Sequence, residues 1–157
     1  MQKITPFLMF NGRLEEALNL YTSVFKNSEI IRMTRSNAAL QGPEGKVVSA
    51  QFRLEGQEFM AFDGGPAFTF SMGISLYVDC KTQEEVDELW EKLSEGGEPS
   101  NCGWVKDKFG IYWQIIPSLL GQLLYDKNPA RSKRVMQAML KMQKIDIRLL
   151  QLAYDQE

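Results

Sequence analysis

The chemistry open to this chain of 157 residues is set first by a side chain it lacks, because it contains no histidine. Histidine is the usual general base near neutral pH and the commonest transition-metal ligand. A Ser-His or Cys-His nucleophile is therefore excluded, and any acid/base step falls to carboxylates, lysine, tyrosine or cysteine. Cys102 is the one tempting nucleophile, since it precedes a glycine and lies near Lys106 and Lys108, whose positive charges are of the kind that activate a thiol. With no histidine to deprotonate it, an inert thiol is the favoured reading. Asp63-Gly64-Gly65 lacks the spacing of a phosphate-binding fingerprint and reads as a strand-ending turn, and Asp107 reads as the residue that shapes a hairpin turn.

The elements that must position these residues follow from periodicity. ITPFLMF is an apolar, aromatic run closed by Asn11-Gly12, which predicts a buried strand. From Leu14, the residues Ala17, Leu18, Tyr21, Val24 and Phe25 recur at helical spacing, with Glu15 and Glu16 in the first turn, and the helix is expected to end near Lys26-Asn27. SEIIRMTR, VVSAQFRLEG and QEFMAFDGG then predict three strands, separated by Gly42-Pro43-Glu44-Gly45 and Glu55-Gly56. In the middle strand Val48, Ala50, Phe52 and Leu54 alternate with polar residues, as in an antiparallel sheet with one face buried. The second half repeats this order. The strand MGISLYVDC leads to a helix announced by a capping box from Thr82 to Glu85, which Gly96-Gly97 stops. CGWVK, the turn Asp107-Lys108-Phe109-Gly110 and IYWQIIP then predict a hairpin. Shifting the first half by 69 positions superposes the two helix patterns, so an internal duplication of βαβββ modules is expected.

The expected fold class is therefore α+β: a single domain over 1–157, with module one at 1–66, module two at 70–118 and C-terminal helices over 118–157. Asn128-Pro129 starts one of those helices, whose stripe Val135, Met136, Met139, Leu140 and Met142 reads as core or dimer packing in preference to an adaptable binding surface. The basic residues Lys127, Arg131, Lys133, Arg134, Lys141, Lys144 and Arg148 read as a wet helix face. A net charge of −2 with mixed signs disfavours nucleic acid and anionic membranes as partners. Two cysteines and the absence of a signal-peptide pattern or an apolar run of roughly 20 residues predict a soluble, cytoplasmic protein.

ITPFLMFNGRLEEALNLYTSVF, GQEFMAFDGG and CGWVKDKFGIYWQIIPSLLGQLL together resemble the PhnB-like, demethylubiquinone 3-methyltransferase-like branch of the vicinal oxygen chelate superfamily, which includes glyoxalases, bleomycin-resistance proteins and dioxygenases. The resemblance covers most of the chain, and KDKFG-x-x-WQ is its most specific piece. It implies two βαβββ modules, each curling a sheet into half of a cupped cavity, often within a dimer. Metal-using relatives set histidine or glutamate on facing strands. Here the first-strand histidine falls at Pro6, give or take one residue, the second-module histidine at Gly73, and the last-strand glutamate at Gln114. The fourth position lies in EFMAFD, where only Glu58 or Asp63 is a carboxylate. One carboxylate and a neutral amide do not hold a catalytic metal, so glyoxalase-type or ring-cleaving chemistry is disfavoured and neither metal nor other cofactor is expected.

If Gln114 faces the cup, strand alternation adds Tyr112 and Ile116 and turns Trp113 away. The expected lining is Leu8, Phe10, Ser75, Tyr77, Cys102, Trp104, Tyr112 and Gln114, an aromatic wall with hydroxyl and amide groups suited to a small, partly aromatic molecule. Close packing of the same residues as plain core is the competing reading. The expected function is metal-independent binding of a small organic ligand by a homodimer. The alternatives are a methyltransferase acting on a quinone-like phenol, and an interaction module docking a protein through its C-terminal helix.

Overall fold

The computed structural model describes residues 2–37 and 44–157, which form two compact units, 1–70 and 71–157. Gly42 and Pro43 of the first expected turn lie outside the described residues.

The first unit runs β1 (Phe7–Phe10), α1 (Leu14–Val24), β2 (Ser28–Arg35), β3 (Val47–Leu54) and β4 (Gln57–Asp63). The helix stops at Val24, short of the expected Lys26-Asn27, because Phe25 already has extended backbone while its N–H still reaches the Tyr21 carbonyl. The sheet order is β1-β4-β3-β2, with β1 and β4 parallel and the other pairs antiparallel. Its buried face carries Phe10, Ala50, Phe52, Leu54, Phe59 and Ala61 beneath the apolar stripe Leu14, Ala17, Leu18 and Tyr21 of α1. Val47 is buried in place of the expected Val48, since the register with β2 shifts between Thr34 and Arg35 and turns that end of the strand over.

The second unit runs β5 (Ser75–Cys80), α2 (Gln83–Ser94), β6 (Glu98–Pro99), β7 (Trp104–Lys106) and β8 (Tyr112–Pro117). The helices α3 (Ser118–Leu124), α4 (Pro129–Met139) and α5 (Ile147–Asp155) follow. The sheet order β5-β8-β7-β6 repeats that of the first sheet, with β5 and β8 as the parallel pair. Each unit is thus a βαβββ module, as expected, and the second carries a helical extension. The cap of α2 is real but not fully reciprocal: Glu85 N–H donates to Thr82 Oγ1, while the Glu85 carboxylate accepts from Lys81 N–H, one residue before the cap. Asn128 and Asp146 cap α4 and α5.

The extension has its own core of Leu120, Leu123, Val135, Met142, Ile145 and Leu150, which also takes in Ile116 from β8. The methionine stripe is accordingly split, with Val135 and Met142 buried and Met136 and Leu140 exposed. Part of the basic run is structural. Arg134 donates to the carbonyls of Ala153 and Tyr154 near the end of α5, Arg131 stacks on Tyr154, and Lys144 pairs with Asp87. Among the described residues no helix is long and apolar enough to cross a membrane.

Candidate functional site

The most specific sequence piece, KDKFG-x-x-WQ, is a scaffold. Asp107 is almost fully buried, and its carboxylate accepts from the backbone of Phe109 and Ile111 and from the Trp113 indole at 2.8 Å. One side chain therefore closes the β7–β8 turn and locks the rotamer of Trp113 on the core face. Gln114 must then point to the opposite face.

That face of the second sheet is legible in rows. Ser75 pairs with Tyr112, which pairs with Lys106, and Tyr77 pairs with Gln114, which pairs with Trp104. Gln114 Nε2 donates to Ser75 Oγ at 2.8 Å, and Trp104 meets Tyr112 edge-on at 6.5 Å between ring centres. Lys106 Nζ stands 6.0 Å from the Tyr112 ring and 3.8 Å from a Glu98 carboxylate oxygen. Partial desolvation, and then the charge of Asp79, raise the Tyr77 phenol above its ordinary pKa, so it is a neutral donor at neutral pH. Five of the eight expected lining residues, Ser75, Tyr77, Trp104, Tyr112 and Gln114, thus share one face. Lys106 belongs with them, and it was detectable in the sequence as the residue two after Trp104.

A third row is closed off on its β8 side, while Asp79 on β5 stays exposed. Ile116 pairs with Asp79 on the same face, yet it is only 5 % exposed because the extension covers it. Cys102 is held against that cover and does not belong to the open wall. It sits in a loop at φ 59°, its N–H donates to Met142 O at 2.9 Å, and its thiol lies 3.7 Å from Met139 O. The other thiol, Cys80, is buried, which pushes its pKa up to about 12, so neither cysteine is placed as a nucleophile.

In the first unit the expected pair Leu8 and Phe10 needs correction. Phe10 is 1 % exposed, meets Phe70 edge-on at 5.2 Å and shares its face with the core residue Ala61 through Leu8. The open face carries Phe7 and Met9 instead, in rows with Met60 and Phe62. FLMF has no polar residue to betray which side faces out, so an offset of one position was invisible in the sequence. Beside these apolar groups Arg32 donates to Gln51 at 3.0 Å, and Arg53 bridges Glu29 and Glu58.

The family's metal positions do not fit a cation. Pro6 and Gly73 offer no side-chain donor, and the Gln114 amide is turned to Ser75. The Glu58 carboxylate is held by Arg53, whose hydrogen bond keeps its pKa below the usual range. Among the described residues no three His, Cys, Asp or Glu side chains converge as a metal site requires. Asp63 holds the β1–α1 turn by accepting from Gly12 N–H at 2.7 Å. Its buried Oδ2 accepts no hydrogen bond but faces the Lys46 ammonium at 3.4 Å, which balances its charge. A recess of about 410 Å³ at this end of α1 is lined by Arg13, Glu15, Glu16, Asn19, Lys46 and Asp63; Arg13 pairs with Glu16 and Lys46 with Asp63, while Glu15 pairs with Arg35 from outside the lining.

A family model described as 3-demethylubiquinone-9 3-methyltransferase matches residues 2–116. A PhnB protein from Bacillus cereus is 44 % identical, and the match covers 74 % of this chain and 100 % of that one with a TM-score of 0.69. The chain belongs to the PhnB-like family. Protein PA1353 from Pseudomonas aeruginosa, 23 % identical over 74 % of this chain and 98 % of that one, shares the fold with a TM-score of 0.63. A search of the curated proteins returns no match. The PhnB-like fold thus accounts for both modules, and the family match stops at Ile116, where the helical extension begins to cover the sheet.

Proposed function

We propose that this PhnB-like protein binds a small, partly aromatic organic ligand on the open face of its second sheet, without a metal, and does so as a homodimer. The supporting observation is the two-row face itself. Tyr77, Trp104 and Tyr112 offer ring surfaces around a Gln114–Ser75 amide–hydroxyl pair, with the Lys106 ammonium at the edge. Aromatic surface supplies most of the burial, and a few convergent polar groups fix orientation, the usual division of labour in small-molecule sites. An amide, a hydroxyl and the neutral Tyr77 phenol recognise phenol or carbonyl oxygens without forming a covalent bond to them. Of the family's metal positions, Pro6 and Gly73 have no side-chain donor, the Gln114 amide is engaged with Ser75 and the Glu58 carboxylate with Arg53, which favours holding the ligand over transforming it.

A thermal-shift screen of aromatic and quinone-like compounds is the direct test. A hit should saturate and raise Tm as mass action requires, and it should lose at least tenfold in affinity in Gln114→Ala. A screen in which no compound saturates removes this reading.

The family description supplies the second reading, methyl transfer to a quinone-like phenol. Calorimetric titration with S-adenosylmethionine decides between the two: measurable binding supports the transferase, and no heat at millimolar cofactor leaves no route to that reaction. The chain shows no glycine-rich strand-turn-helix of the kind that cradles a nucleotide-like cofactor, which ranks this reading second.

A further inference from the structure

The open face of the second sheet ends abruptly on its β8 side. Along β8 the residues Tyr112, Gln114 and Ile116 project to the same side, and the first two are partly exposed while the third is buried. Nothing in the β-sheet itself causes this change. It arises because Ile116 enters the core of the extension with Leu123, Met142 and Ile145.

The cover is fastened from two further directions. On the β7 side the N–H groups of Cys102 and Gly103 donate to the carbonyls of Met142 and Gln143, at 2.9 and 2.8 Å. Gly103 has a φ of 83°, and a Cβ there would stand 2.7 Å from Ile116 Cδ1 and 3.2 Å from Ile145, so glycine lets the loop pass directly against the cover. On the helix side Gln83 makes a two-way clamp, donating to Ile145 O at 3.0 Å and accepting from Ile147 N–H at 2.7 Å. A segment held by side-chain packing, by main-chain bonds to a sheet loop and by an amide clamp has the attributes of a fixed wall.

We infer that the C-terminal helices are the end wall of the ligand face and set the length of molecule it accepts. This rests on the ligand reading above and goes beyond it by giving the substrate class a shape. Successive rows on one face of a strand are about 7 Å apart. Two open rows therefore accept a ring system with a short substituent directed at the wall, and an extended apolar chain directed along β8 is stopped at Ile116, with the charged Asp79 carboxylate beside it on β5. The family match ends at residue 116, so the wall lies outside the matched residues.

The test is a titration of phenol, 4-ethylphenol, 4-butylphenol and 4-hexylphenol against the full chain, read by tryptophan fluorescence. It is repeated on Leu123→Ala and Met142→Ala, two independent ways of shortening the wall should one variant fold poorly. Each methylene that finds apolar contact improves binding roughly fourfold. In the parent chain the gain should stop after the first few carbons. In either folded variant it should continue, so that 4-hexylphenol binds at least tenfold more tightly than to the parent while phenol itself is unchanged. If 4-hexylphenol binds both variants no better than the parent, or if affinity climbs without limit in the parent, the wall is disproved and the ligand reading survives. If no phenol saturates any of the three proteins, the ligand reading falls, and the wall's role in selecting ligands falls with it.

Discussion

Asp107 shows how one buried carboxylate can organise a hairpin. It accepts two backbone N–H groups and the Trp113 indole, so loss of the charge leaves donors facing a weaker or wrongly oriented acceptor. Asp107→Asn is expected to cost about 2–3 kcal/mol in urea unfolding and to shift Trp113 fluorescence. A loss under about 0.5 kcal/mol would mean the carboxylate is dispensable, as at an ordinary surface position. Cys80 makes a different prediction. Its thiol is raised from 9.0 to about 12 by burial, so the folded state holds the proton more tightly than the unfolded state. The sign follows from linkage: the contribution to stability is whole below pH 9 and is lost as pH rises from 9 towards 12. Cys80→Ser should flatten the alkaline limb of a stability profile over that window, and an unchanged limb would show that the thiol does not titrate there.

Among the elements, α2 and the C-terminal helices are joined by the Gln83 amide and by the Asp87–Lys144 ion pair. Gln83→Ala removes both arms of the clamp to Ile145 and Ile147, and each lost hydrogen bond is worth about 1 kcal/mol. The expected result is faster hydrogen exchange at Cys102, Gly103 and Ile147, with the exchange of β3 and β4 in the other unit unaltered. Exchange at 102–103 that stays as slow as in the parent would assign the docking to the Ile116 core alone. The paired sheets make a related point about register. Both follow the order in which the first and last strands of the module lie parallel, and this parallel pair puts the apolar β1 beside β4 and the aromatic β8 beside β5. A parallel pair of this kind needs the intervening helix and hairpin to return the chain, and that is the βαβββ order the periodicity predicts.

On the scale of the whole molecule, both units expose apolar sheet surface, including Phe7, Met60 and Phe62 in the first and Tyr77 in the second. Exposed apolar patches of this kind mark sites of association. The homodimer proposed here predicts a sedimenting species of twice 18.0 kDa at micromolar concentration. Phe62→Asp places a charge on the open face of the first sheet and is expected to shift the population at least tenfold towards monomer without loss of folded signal. A parent chain that sediments as monomer at every concentration would refute the dimer.

The amino-acid sequence by itself determined the kinds of element and their order, because alternation and helical spacing report which residues must leave water. It also determined the chemistry denied to the chain, since no fold can supply an imidazole that is not there. It even placed Trp113 and Gln114 on opposite faces, because successive side chains of a strand point to opposite sides of the sheet. The tertiary structure decided which face of FLMF looks outward, a four-residue strand with no polar contrast to break the tie. It also decided that Cys102 and Ile116 lie under helices formed by residues beyond the sheet, and strand parity separates two faces without revealing what will cover either one. Coverage is settled by packing between segments distant in the chain, and that information appears only once the chain has folded.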